Sequence, residues 1–161
     1  MKNTHMNESI KLTGQLRLIL RDAKTGRIKA DDTYKNMVLT LAKNAIADRL
    51  RGTSANNRGT ITYIGVGTGT TAPVAGNTKL EAELFRKLLS VREISASGDN
   101  IAEFTVFFTT SEANGSLSEA GLFGDNASAT TDSGILYCRT LINRVKTASD
   151  TLTMVWQLTI G

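Results

Sequence analysis

The residues able to do chemistry are few and scattered. The chain has one histidine, His5, and one cysteine, Cys138. A serine or cysteine nucleophile needs a base within hydrogen-bond reach. The only imidazole stands five residues from the start, in a polar stretch. A zinc site would have to combine Cys138, His5 and carboxylates that lack ligand-like spacing. Cys138 beside Tyr137 in an apolar stretch reads as a small buried hydrophobe, and Trp156 reads as core. The acids are spread over turns and strand exteriors, with no pair set up for glycoside hydrolysis. These residues point away from an enzyme, and no catalytic, cofactor-binding or metal site is assigned.

One segment imitates a cofactor motif. Gly67, Gly69 and Ala72 formally satisfy G-x-G-x-x-G/A after a strand. That fingerprint works because a helix begins at the turn and aims its amides at a pyrophosphate. Here Pro73 and the Val74-Ala75-Gly76-Asn77 stretch delay any helix, and the Lys-Ser/Thr of a P-loop is missing. The segment reads as a tight turn, with no cofactor expected.

The elements that would position these residues follow from period. The 161-residue chain is 40% hydrophobic and 21% charged, and it contains a single proline. It is rich in Thr, Ser, Asn and Gly, which suits strands and polar turns. Residues 10–21 alternate, with Ile10, Leu12, Leu16, Leu18 and Leu20 on one face. A turn at Asp22–Gly26 leads to a polar return strand placed at a sheet edge. Val38 to Leu50 follows helical spacing, with Asn36 as N-cap and Gly52 as terminator. Thr60 to Val66 is a strand. Thr78-Lys79-Leu80-Glu81 fits a capping box opening a second short helix. Glu81 and Glu83 then read as solvated acids of its first turn. Strands follow over 89–96, 101–110, 117–123, 135–143 and 151–160, with a polar loop at 124–134. The last strand is the most regular, placing Leu152, Met154, Trp156, Leu158 and Ile160 on one face.

The expected fold is mainly β: an antiparallel β-sandwich with an N-terminal hairpin and two short helices. Residues 1–9 form a polar arm and 10–161 a single domain. The start has no apolar segment after Lys2, which argues against a secretory signal. No apolar run reaches the ~20 residues that span a bilayer.

The net charge of +4 is unevenly placed. Residues 1–80 hold 13 Lys/Arg and 5 Asp/Glu, whereas residues 81–161 hold 6 and 10. A basic front and an acidic back suggest head-to-tail contact between copies, or simply two solvated faces of one domain. Charge complementarity would set register in such a contact. Lys11, Arg17 and Arg21 are the candidate subunit-contact residues. The basic helix face Lys43, Arg49 and Arg51 offers an alternative from another class, nucleic-acid binding. The basic half carries only Tyr34 and Tyr63 as aromatics for stacking, which counts against it. Sugar binding through the loops at 67–77 and 124–134 would need aromatics, and neither loop has any.

Several stretches resemble a family of small virion structural proteins of tailed bacteriophages and prophages. They are the run Tyr63-Ile64-Gly65-Val66-Gly67-Thr68-Gly69-Thr70-Thr71-Ala72-Pro73, then Thr78-Lys79-Leu80 with Phe85-Arg86-Lys87. Phe104-Thr105-Val106-Phe107-Phe108 follows with Ser111-Glu112-Ala113-Asn114-Gly115, then Glu119-Ala120-Gly121-Leu122-Phe123-Gly124 and Asp150 to Trp156. The likeness runs from about residue 14 to the last residue. It implies a virion part, made in the bacterial host cytoplasm, with no catalytic residues to carry over. The expected role is a tail, baseplate or fibre-attachment component working by subunit packing; the alternative is capsid decoration on the head. The expected partners are other virion proteins and further copies of the chain, with no small-molecule substrate and no membrane.

Overall fold

In the computed structural model, residues 10–52 and 59–161 are described. The arm at 1–9, with His5, and residues 53–58 lie outside the described residues. The strands are β1 (Leu12–Asp22), β2 (Ile28–Lys35), β3 (Met37–Val38), β4 (Ile61–Gly67), β5 (Glu83–Leu88), β6 (Val91–Ile94), β7 (Ile101–Phe108), β8 (Gly115–Gly124), β9 (Ile135–Lys146) and β10 (Asp150–Ile160). The helix α1 spans Thr40–Leu50.

Two five-stranded antiparallel sheets face one another, in the orders β2-β1-β10-β7-β6 and β3-β9-β8-β4-β5. The alternation read from the sequence builds the first. Leu16, Leu18 and Leu20 stand opposite Trp156, Met154 and Leu152 in register. All six point into a core completed by Val106 and Phe108 on β7 and by Ile64, Val66, Ala120, Leu122 and Cys138 on the second sheet. Phe85 meets Phe108 edge-on with ring centroids 6.0 Å apart, tying β5 to β7 across the layers.

The first two strands do not stand apart as a hairpin appended to the sandwich. β1 lies between β2 and β10 and pairs with both along most of its length. Asp22 Oδ1 shapes the turn between them, accepting from the Lys24 and Thr25 amides at 3.1 and 2.9 Å. Gly26 closes it with φ +71°. β2 is the edge strand, as its polarity requires.

There is one helix among the described residues where two are expected. α1 begins at Thr40, because Met37 and Val38 first pair with Arg139 and Cys138 of β9. Asn36 is therefore not an N-cap; its Oδ1 accepts the Trp156 indole N–H at 2.9 Å. Gly52, at φ +68°, follows the end of α1.

The second expected helix is replaced by an irregular strap, 68–82, and by β5. Its capping box is overruled by tertiary contacts. Leu80 is buried with Leu39, Phe123 and Leu136 on the outer face of the second sheet. The Glu81 and Ala82 amides, which a helix N-terminus would leave without intrahelical partners, donate instead to a carboxylate of β8. The following residues pair with β4, Phe85 opposite Val66 and Leu88 opposite Tyr63.

Candidate functional site

The glycine-rich segment is built around an anion, and the anion belongs to the chain itself. Glu119 projects from the outer face of β8 and is completely buried beneath the strap. Its Oε1 accepts from the Gly69 amide at 3.1 Å and the Ala82 amide at 2.7 Å. Its Oε2 accepts from the Glu81 amide at 3.0 Å and Arg139 Nε at 2.9 Å. A Cβ on Gly69 would sit 2.5 Å from Glu119 Oε1, and one on Gly67 2.7 Å from it. The two glycines are therefore required for the strap to approach the carboxylate. The spacing that imitates a dinucleotide loop cradles an internal Glu.

Arg139, on β9, completes this centre. Its side chain is 2% exposed, its Nη1 donates to Asn77 Oδ1 at 3.2 Å, and its Nη2 lies 3.6 Å from Glu81 Oε2. Glu81 also accepts the Thr71 amide and hydroxyl at 2.8 and 2.7 Å. Those bonds, backbone first, hold its carboxyl below the usual range. Two carboxylates thus flank one guanidinium, and the strap is pinned at Gly69, Thr71, Asn77, Glu81 and Ala82. A buried charge is costly unless paired and hydrogen-bonded. Glu119 meets four donors, whereas Arg139 Nη2 is buried with only the ion pair to Glu81 and no hydrogen bond of its own.

A second buried pair fixes the loop at 124–134. Arg86 and Glu83 form an ion pair with both side chains almost fully buried. The Arg86 guanidinium stacks 4.2 Å from the Phe123 ring centroid and donates to Ser133 O at 2.8 Å. Glu83 is thus no solvated first-turn acid, and Glu81 is tied to Thr71. Both readings are corrected because no helix forms here.

Of the candidate contact residues, Arg17 and Arg21 lie on β1 and Lys11 immediately precedes it. Arg17 donates from Nε and Nη2 to the Asp31 carboxylate on β2 at 2.8 and 2.7 Å, and this pairing raises its pKa. Arg21 donates to Gly26 O at 3.3 Å. Lys11 is exposed, with its backbone paired to Gly161. The basic front is partly answered within the same chain. Lys29 reaches Asp150 at 2.6 Å, Lys79 reaches Asp132 at 3.1 Å, and Arg144 of the back half pairs with Asp32 of the front. Front and back strands adjoin at β1 and β10 in the first sheet and interleave in the second, so an asymmetry along the sequence is not a separation in space. Lys43 and Arg49 on α1, and Arg51 at its C-cap, are exposed, and Arg51 pairs with Asp48.

Cys138 is fully buried and burial pushes its thiol pKa strongly up, the opposite of an activated nucleophile. Trp156 is core. Among the described residues no group of three His, Cys, Asp or Glu side chains could hold a metal ion.

The feature that sequence reasoning missed is an open side of the sandwich. β5 and β6 are the free edges of the two sheets, joined through Leu89 and Ser90. Leu84, Leu88, Val91, Ile94 and Phe107, on β5, β6 and the adjoining β7, are each between 42% and 60% exposed. The opposite edge strand β2 instead carries Lys29, Asp31, Asp32 and Lys35, charges that discourage strand addition. The signal in the sequence was apolar residues at both parities over Leu84–Ile94, which suits an uncovered corner.

No protein-family model matches the chain, and neither a curated protein nor a solved structure is significantly similar to it.

Proposed function

We propose that the chain is a structural protein of a tailed-bacteriophage virion, a tail, baseplate or fibre-attachment component that works by packing against other subunits. The observation that carries the packing role is the open side formed by β5 and β6. Isolated exposed hydrophobics are ordinary, but four along two adjoining free edges, Leu84 and Leu88 on β5 and Val91 and Ile94 on β6, form the kind of surface that association covers. The virion assignment rests on the resemblance of the residues quoted above.

The magnitudes fit a repeated contact better than an isolated one. Burying the remaining exposed half of each of these four side chains gives about 1 kcal/mol apiece, or about 4 kcal/mol together. Association costs about 4–15 kcal/mol in lost freedom, so one such contact is weak. Closed assemblies multiply contacts, and backbone pairing at a free edge adds to each. The rigid Glu119–Arg139 and Arg86–Glu83 centres hold the neighbouring strap, loop and β5 in one conformation, so little is lost in ordering them on contact.

Labelling purified particles with an antibody to the chain tests the assignment. Label at the tail, baseplate or fibre junction is the expected result. Label over the head would replace that position with capsid decoration. Particles without the chain, or steep salt-dependent DNA binding by the isolated protein, would overturn the structural role.

A further inference from the structure

Lys146, at the end of β9, is a buried ammonium of unusual setting. Its residue is 1% exposed, and among the described residues no carboxylate lies within ion-pair distance of its Nζ. The Nζ donates instead to two neutral acceptors, Thr109 O at 2.7 Å and Asn114 Oδ1 at 2.9 Å. Burial without a direct counter-charge is expensive for a cation. The same burial holds the Lys146 pKa below its ordinary value, which raises the fraction of neutral amine.

The partner is held for the contact. Asn114 Nδ2 donates to Thr110 O at 2.8 Å, fixing the carboxamide plane. Ala113 before it sits in the left-handed region at φ +52°, and Gly115 after it, at φ +137°, stands opposite Lys146 in register. The turn spends backbone strain to place the Asn114 carbonyl against the amine. Glu112, on the same turn, is ion-paired to Lys87 of β5 at 2.5 Å and accepts from the Thr109 amide and hydroxyl at 2.8 and 3.0 Å. Its charge and that of Asp150 both act on Lys146.

We propose that Lys146 and Asn114 form a self-catalysed intramolecular isopeptide cross-link. At alkaline pH the Lys146 ammonium gives one proton to hydroxide from solvent, and the free amine attacks Asn114 Cγ, whose Oδ1 it already touches. The second Nζ proton and one proton from water, which regenerates the hydroxide, leave on the departing amide nitrogen. A secondary amide forms, the Cγ–Nδ2 bond breaks, and one ammonium ion is released; charge balances and no oxidant or co-reactant is needed. Holding amine and carbonyl in place supplies the proximity such a reaction requires. The product would clamp the start of β8 to the end of β9 across 32 residues of sequence, a brace suited to a part that bears load.

The test is the intact mass of the full-length folded protein after incubation at mildly alkaline pH, followed by peptide mapping. The expected mass is one ammonia below that of the sequence, with a branched peptide joining the Asn114 and Lys146 segments. Lys146→Arg and Asn114→Ala should each keep their unmodified masses. An unchanged wild-type mass would overturn the proposal. So would ammonia loss confined to the Asn114–Gly115 segment, which marks backbone succinimide formation, or simple conversion of Asn114 to an acid.

Discussion

Replacing Glu119 by alanine should be among the most damaging single changes available in this chain. The carboxylate is fully buried and accepts from three backbone amides and Arg139 Nε. Removing one partner of a buried ion pair costs about 3–5 kcal/mol, because the other charge is left without compensation. The three orphaned amides push the loss toward the upper end, although the strap can admit water and recover part of it. Against a total stability of about 5–15 kcal/mol, a loss near 4 kcal/mol is large but survivable. At a urea slope of about 2 kcal/mol/M it lowers the unfolding midpoint by about 2 M. Glu119→Gln keeps one acceptor oxygen but turns an NH2 toward donors, and should lose about half as much. Urea unfolding of both variants, with Arg139→Ala and the double variant, measures the coupling. The double variant should be less unstable than the sum of the singles by at least about 2 kcal/mol. A Glu119→Ala midpoint corresponding to less than about 1 kcal/mol of loss would refute this account of the strap.

Gly69→Ala should cost about 1–3 kcal/mol, because its methyl would meet Glu119 Oε1 and the Glu81 Cβ at 2.5 Å. Gly76→Ala, in the same strap with nothing within 4 Å, should be neutral or stabilise by up to about 1 kcal/mol in the same urea assay. Equal effects at the two positions would contradict the cradle. Asp22 has its pKa lowered from 3.8 to about 2, chiefly by the Thr25 amide and hydroxyl. A depressed carboxyl contributes stability above its unfolded value that is lost as pH falls through the folded one. Thermal unfolding of Asp22→Asn should therefore fall less steeply than wild type between pH 3.8 and about 2. Parallel curves would remove Asp22 from the acid response.

What the sequence disclosed depended on how local each cause is. Residues 151–160 announce β10 because one face of a strand is legible from alternation alone. The same holds for Leu16, Leu18 and Leu20, which the core requires in register with β10. The strap is different. Thr78-Lys79-Leu80-Glu81 carries an honest helix-start signal, yet its amides are claimed by Glu119, some 38 residues away. Local propensity is a weak prior against four hydrogen bonds to a buried carboxylate. A faint trace was present. Glu119 and Arg139 are lone charges inside otherwise apolar strands, Leu117–Phe123 and Ile135–Ile142, and two such charges are best read as partners. Gly67 and Gly69 are legible as a tight turn leaving a strand, while the group that the turn wraps is invisible without the fold. The charge asymmetry was legible as a count but not as a place, because β1 and β10 turn out to be neighbours.

Native mass spectrometry of the full-length protein and of Val91→Lys/Ile94→Lys, at matched concentrations, tests packing through the open side most directly. Both side chains are substantially exposed, so the variant should fold with an unchanged thermal midpoint. The wild type is expected to populate oligomers that grow with concentration, while the variant remains monomeric. Identical distributions for the two proteins, whether both monomeric or both assembled, would contradict it.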